Sequence, residues 1–353
     1  MWQMFNRLGF SVYLSTFEKQ KEQLKKLCRK GSYVFTSFHI SEEFDDTYPA
    51  RAKEMCQWLT TAGYRILADV SKKTLAMFGT QDIVEFAHEM GIDILRIDYG
   101  FTNDEIAALA AKMPIAVNAS TLGDELAQRL AMAENQVYAM HNFYPRPETG
   151  LDDVFFRSCN ERLHREGIRV LAFIAGDEAL RAPIFEGLPT LECHRRQPPY
   201  VSYLDLVRNY GIDGVFVGDG IVSENEFALI DNFCSSGICD VPAELSNENE
   251  ELYGKVFTVR VDSPACAMRF QESREYSCFG KTIMPCNCVQ RAAGCITVDN
   301  IEYSRYSGEI QFVRNPLPAD NRVNVIGRVD QRYLAILDCL PNGKKLKLIP
   351  TPK

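Results

Sequence analysis

The chain has no run approaching the ~18 consecutive apolar residues of a membrane-spanning helix, so a membrane partner is not expected. It has no excess of positive charge either. Lys and Arg total 39 against 47 Asp and Glu, a net charge of −8, which speaks against nucleic-acid binding, where a basic stripe is required. The opening Met1-Trp2-Gln3-Met4-Phe5-Asn6-Arg7 lacks the charged, apolar and cleavage regions of a secretory signal, and a cytoplasmic location is expected. Paired Cys-x-x-Cys knuckles are missing as well. Cys28, Cys56 and Cys159 fall in helical contexts and read as small buried apolar side chains. The denser group Cys266, Cys278, Cys286, Cys288 and Cys295 offers one Cys-x-Cys, a poor match to structural zinc spacing. Free thiols are the expectation, with no metal and no cofactor.

What is present is enough for two cores. The 353 residues, 46% hydrophobic and 24% charged, exceed the roughly 250–300 at which single cores stop growing. From Leu8 onward, short apolar runs alternate with amphipathic stretches. The runs are Leu8–Ser15, Tyr33–Ile40, Arg65–Val70, Ile94–Tyr99, Pro114–Ala119, Gln136–His141, Arg169–Ala175 and Gly214–Val217. Helices are expected after each, including Leu75–Met90 as one piece and Val201–Tyr210 after a long loop. Ser15-Thr16-Phe17-Glu18, Thr102-Asn103-Asp104-Glu105 and Ser223-Glu224-Asn225-Glu226 read as capping boxes. Eight β-then-α units predict a parallel sheet closed as a (β/α)8 TIM barrel over residues 1–240, with an open doubly wound sheet as the alternative.

After Cys239 the period changes. Phe257, Val259 and Val261 alternate with Thr258 and Arg260, and Ile310 and Phe312 flank Gln311. Pro341-Asn342-Gly343 between Leu334–Leu340 and Lys345–Ile349 predicts a hairpin. Residues 241–353 are therefore expected to form a compact β domain, with the join in the polar stretch Ala243–Glu251.

In such barrels the reacting groups lie where strands end and βα loops begin. Those positions carry Glu43, Asp69, Asp98, Asn118, Asp177 and Gly218-Asp219-Gly220. Alternation places Arg96 and Asp98 on one side of their strand, which allows a buried ion pair, and Asp177 has Arg181 available as a surface partner. The loop after the sixth strand is densest: His141-Asn142-Phe143-Tyr144-Pro145-Arg146-Pro147-Glu148-Thr149-Gly150, with two prolines stiffening a polar, aromatic stretch. The long loop after the seventh adds Glu192, His194, Arg195 and Arg196, groups suited to an anionic or hydroxyl-rich ligand.

These residues resemble a known family. The sixth-strand stretch His141–Leu151, then Thr190-Leu191-Glu192 with His194-Arg195, and Gly218-Asp219, are similar to motifs of the MupG family of bacterial 6-phospho-N-acetylmuramidases. In the tail, Tyr303–Gln311 and Asp320–Gly327 resemble that family's second domain. The resemblance implies a barrel joined to a small cyclophilin-like β-barrel domain. It also implies cytoplasmic hydrolysis of the β-1,4 bond between 6-phospho-N-acetylmuramic acid and N-acetylglucosamine in peptidoglycan recycling, the partner being that phosphorylated amino-sugar disaccharide.

Glycoside hydrolysis usually takes two carboxyl groups. Position at the barrel mouth nominates Asp98, Glu192 and Asp219, with Asp69 and Glu43 in reserve. Arg146, Arg195 and the backbone near Gly218 are candidates for the phosphate and the lactyl carboxylate. His141, Asn142, Tyr144 and His194 are candidates for hydroxyls and the acetamide, and Glu148 lies in the same loop. Two other classes fit the same residues: a sugar-phosphate isomerase or lyase, disfavoured by the lack of a lysine at the strand ends, and a non-catalytic sugar-phosphate sensor.

Overall fold

The computed structural model describes residues 7–38, 45–273 and 282–352. The chain divides into two compact units, Met1–Phe227 and Ala228–Lys353. In the first, β1 (Gly9–Ser11), β2 (Tyr33–Ser37), β3 (Arg65–Val70), β4 (Ile92–Ile97), β5 (Ile115–Asn118), β6 (Val137–Met140), β7 (Arg169–Ile174) and β8 (Gly214–Val217) pair in sequence order. Every pairing is parallel, and β1 closes on β8 through Gly9↔Phe216 and Phe10↔Val217. Both faces of each strand are covered, so the strands read as continuous apolar runs rather than alternating ones. Six aromatic rings, of Tyr13, Tyr33, Phe35, Tyr138, Phe173 and Phe216, help fill the interior. Gly9 makes room for one of them: a Cβ there would lie 2.4 Å from the Phe216 ring.

The helices of this unit are α1 (Phe17–Leu27), α2 (Tyr48–Thr61), α3 (Lys72–Phe78), α4 (Ile83–Met90), α5 (Asn103–Ala110), α6 (Asp124–Ala131), α7 (Asp153–Arg165) and α8 (Pro199–Asn209). α9 (Glu224–Ser236) runs across the division between the units. The stretch expected as one helix over Leu75–Met90 is two, because Gly79 ends α3 in the left-handed region (φ 65°) and the Asp82 carboxylate caps α4 by accepting from Val84 N and Glu85 N. Of the expected capping boxes, Thr102 with Glu105 forms in full. Thr16 makes no side-chain cap; its hydroxyl donates to Gln20 Oε1 instead (2.9 Å). At α9, Ser223 Oγ accepts from Glu226 N at 3.4 Å, while the Glu226 carboxylate accepts from Tyr200 N at the start of α8.

The second unit is a mixed seven-stranded sheet. Its strands are β9 (Cys239–Leu245), β10 (Val256–Thr258), β11 (Ala267–Arg269), β12 (Cys295–Asp299), β13 (Ile310–Val313), β14 (Val323–Val329) and β15 (Lys345–Pro350), in the order β10-β15-β9-β14-β12-β13-β11. Only β15 with β9 is parallel. Phe257 and Val259 are buried as alternation requires, but Val261 lies beyond the strand end and is exposed. The expected hairpin around Pro341-Asn342-Gly343 does not form. Gln331–Cys339 winds as a 3-10 helix, and β15 pairs with β10 and β9. Tyr333, Ile336 and Cys339 are all buried, and a spacing of three is the one that a three-residue turn places on a single face. Among the described residues, no helix is long and apolar enough to cross a membrane.

Candidate active site

The barrel mouth is organised around Arg96. This arginine sits inside β4, almost fully buried, and ordinary strand sterics point it along the barrel interior. Its Nη1 donates to Asp69 Oδ1 from β3 at 2.7 Å and lies 3.7 Å from Asp98 Oδ1, just past β4. Its Nη2 donates to Asn142 Oδ1, just past β6. One planar cation thus gathers two carboxylates and a carboxamide from three strand ends, a role for which the rigid guanidinium fork is suited. Asp69 is nearly enclosed, whereas the Asp98 side chain keeps 26% of its surface exposed. Phe143 follows Asn142 and packs edge-on against Phe35 and Phe173, giving the mouth an aromatic floor.

Glu192 and Arg195 form a second centre. Both Glu192 oxygens are doubly engaged: Oε1 accepts from Glu148 N and Arg195 Nε, Oε2 from Gly150 N and Arg195 Nη2. The fork of Arg195, with the two amides, holds this carboxyl down at about 2. The remaining Arg195 donors reach the carbonyls of Tyr144, Gly187, Glu186 and Arg146. The pair therefore clamps the sixth-strand loop onto the seventh-strand loop. Gly150 makes the approach possible, since a Cβ would fall 2.7 Å from Glu192 N, and Glu148 takes φ 67° in the same turn.

Asp219 organises the next arc. Its buried carboxylate accepts from Gly176 N, Leu188 N and Arg181 N, each at 2.9 Å. Burial raises its pKa, with the three amides opposing. Gly218 uses its N–H on Ile174 O and its carbonyl on the Tyr13 hydroxyl. A Cβ at Gly218 would lie 2.3 Å from Leu188 O.

The two histidines of these loops are fully buried. His141 bridges Ser120 Oγ and Asn160 Oδ1 by its two nitrogens, and burial lowers its pKa to about 4. His194 meets Asp205 Oδ2 of α8 at 2.8 Å. Tyr144 is half-buried, and Arg146 and Glu148 are exposed on the loop above it. Asp177 does not pair with Arg181; it binds Ser223 N and Oγ at the start of α9. Glu43 and His39 lie outside the described residues.

Comparison with known proteins decides what this mouth belongs to. The N-terminal model of 6-phospho-N-acetylmuramidase matches residues 8–232, and the C-terminal model of the same enzyme matches residues 239–349. The chain belongs to the 6-phospho-N-acetylmuramidase family. It is a glycosidase whose substrate class is a phosphorylated amino sugar. A conserved Enterococcus faecalis protein of unknown function is similar at 31% identity and TM-score 0.83, covering 98% of this chain and 96% of its own. An uncharacterized B. cereus protein shares the fold at 24% identity and TM-score 0.82, over 98% of this chain and 99% of its own. No curated protein matches the chain.

For this muramidase, the structure brings together Asp69, Asp98 and Asn142 through Arg96, and separately Glu148, Glu192 and Arg195. Alternation paired Arg96 with Asp98, but its reach to Asp69 and Asn142 was not expected, because Arg96 stands inside a strand rather than at its end. Its signal was legible: an arginine within a buried parallel strand needs partners on the same face.

Proposed function

We propose that this chain hydrolyses the β-1,4 bond between 6-phospho-N-acetylmuramic acid and N-acetylglucosamine, with Asp98 and Asp69 as the acting carboxylates. The proposal extends to cytoplasmic recycling of cell-wall fragments and to a cyclophilin-like second domain. The observation that carries it is the convergence of Asp69, Asp98 and Asn142 on one guanidinium at the mouth of the barrel. Glu192 and Asp219 have their oxygens engaged by backbone amides, and Glu192 also by Arg195, so both suit loop-holding better than proton transfer. His141 and His194 serve as buried posts of the same loops.

Both Asp oxygens lie within 4.0 Å of Arg96 Nη1. The two Oδ1 atoms thus meet on one donor, closer together than the roughly 6.5–9.5 Å at which most inverting enzymes hold their carboxyl groups. Retention through the substrate's own acetamide fits better. The acetamide oxygen attacks the anomeric carbon while Asp98 gives its proton to the departing O4 of N-acetylglucosamine. Asp69 and Asn142, both tied to Arg96, hold the acetamide. Water then opens the cyclic intermediate and returns a proton to Asp98. Tyr144 and Glu148 take sugar hydroxyls, and Arg146 takes the lactyl carboxylate.

The test uses a chromogenic glycoside of N-acetylmuramic acid 6-phosphate. Asp98→Asn and Asp69→Asn should each lower kcat by roughly 10²–10⁴-fold, and NMR of the first product should show the β anomer. Near-normal turnover by both variants, or an α product, overturns the assignment.

A further inference from the structure

The sugar that the proposed reaction requires carries two anions, a 6-phosphate and a 3-lactyl carboxylate, attached through two different ring carbons. Two separate cations are needed to read them. Arg195 is unsuited to either, since all five of its N–H groups already face protein acceptors.

Arg181 differs in every respect. It lies in the loop after β7 and its guanidinium sits face-on over the Tyr13 ring, 3.6 Å from the centroid. Tyr13 follows β1, belongs to the aromatic cluster of the barrel interior and is itself buried, its hydroxyl tied to Gly218 O at 3.0 Å. A cation stacked on that ring therefore stands at the top of the barrel interior, on the arc of β7, β8 and β1. Its backbone is fixed from both sides: Arg181 N donates to Asp219 Oδ1 (2.9 Å), and Phe185 N donates to Arg181 O (3.1 Å). Among the described residues, the guanidinium itself makes no hydrogen bond and no ion pair. A guanidinium stacked by one face keeps its edge donors directed outward, which is the geometry for a forked contact with phosphate oxygens.

The surroundings agree with that use. Burial pushes the Tyr13 phenol up to about 12, the Arg181 cation opposes it, and the Asp219 and Asp69 carboxylates are within electrostatic reach of the same ring. The Arg181 seat thus shares the mouth with the carboxylates gathered by Arg96, while Arg146 stands on the arc of the sixth-strand loop.

We propose that Arg181, seated on Tyr13, is the specificity-determining residue that binds the 6-phosphate of the substrate. This rests on the glycosidase reading for the identity of the ligand, and its test is read by binding so that the two can fail separately. Calorimetry would measure N-acetylglucosamine 6-phosphate, which has no lactyl group, and unphosphorylated N-acetylmuramic acid, which has no phosphate, on the full chain and on Arg181→Ala. The expected result is a loss of roughly tenfold or more for the phosphosugar with N-acetylmuramic acid unchanged. Arg181→Lys should recover only part of the loss, because an ammonium is a point charge without the fork. On the chromogenic substrate, Arg181→Ala should raise KM with little change in kcat. A weakened N-acetylmuramic acid with an unchanged phosphosugar would assign Arg181 to the lactyl carboxylate and overturn the proposal. Equal loss for both ligands, or loss for neither, overturns it as well. A wild-type chain that binds the phosphosugar through Arg181 without turning over the glycoside would sink the hydrolase reading and leave this one standing.

Discussion

Asp98 and Glu192 are both carboxylates at the ends of this barrel's loops, and their neighbours give them opposite work. Asp98 lies 3.7 Å from the Arg96 guanidinium and keeps a quarter of its side chain open. Glu192 accepts four hydrogen bonds and is held at about 2. A carboxyl whose folded pKa lies below its unfolded value of 4.5 stabilises the fold fully above that value and loses the contribution as pH falls toward 2. Glu192→Gln should therefore destabilise the protein at pH 7 by about 1–3 kcal/mol, discounted for partial solvent access. The gap from wild type should narrow as the pH is lowered from 5 to 3. Thermal midpoints across that range check this; a gap that is constant with pH would show that the ion pair is not what matters.

The loops of the mouth are joined to one another by backbone contacts that no larger residue permits. Gly218 is the plainest case, with Leu188 O where its Cβ would be and both of its own backbone groups in use. Gly218→Ala must push the seventh-strand loop, and Arg181 with it, away from β8 and from Asp219. The expected outcome is a loss of thermal stability of about 1–3 kcal/mol together with a fall in kcat/KM. Gly123→Ala serves as the control, because nothing lies within 4 Å of its Cβ. Equal behaviour of the two variants would mean that the Gly218 contact is not rigid.

At the scale of the molecule, the two units should answer pH in different ranges. In the barrel the Glu192 contribution weakens only in acid. In the second unit, one buried oxygen of Asp299 has no hydrogen-bond partner among the described residues, and burial, assisted by the Glu309 carboxylate, raises its pKa to about 7. A carboxyl raised in this way costs the fold nothing below its unfolded pKa, and the cost grows as pH climbs toward 7. Asp299→Asn should thus stabilise the second unit at pH 8, by on the order of 1–2 kcal/mol, and lose that advantage near pH 4. Hydrogen exchange resolved by peptide would separate the units; a variant without effect at pH 8 would contradict it.

Much of this architecture was legible in the residues. The eight apolar runs and the helices between them determined the parallel barrel, because strands covered on both faces must be apolar throughout and a βα repeat closes most simply at eight. The composition likewise determined the net negative charge, and the motifs pointed to the family. The details that failed were local contests. Gly79 broke a helix that periodicity alone would continue, and a three-residue spacing became a 3-10 helix where a hairpin was expected. The division of labour among the charged side chains at the mouth was decided only by tertiary structure. Arg96 meets Asp69 across 27 positions, Arg195 reaches Tyr144 across 51, and Tyr13 reaches Gly218 across 205. Whether a carboxylate transfers a proton or ties a loop depends on which donors the fold brings to its oxygens, and most of those donors come from strands and loops far apart in the chain.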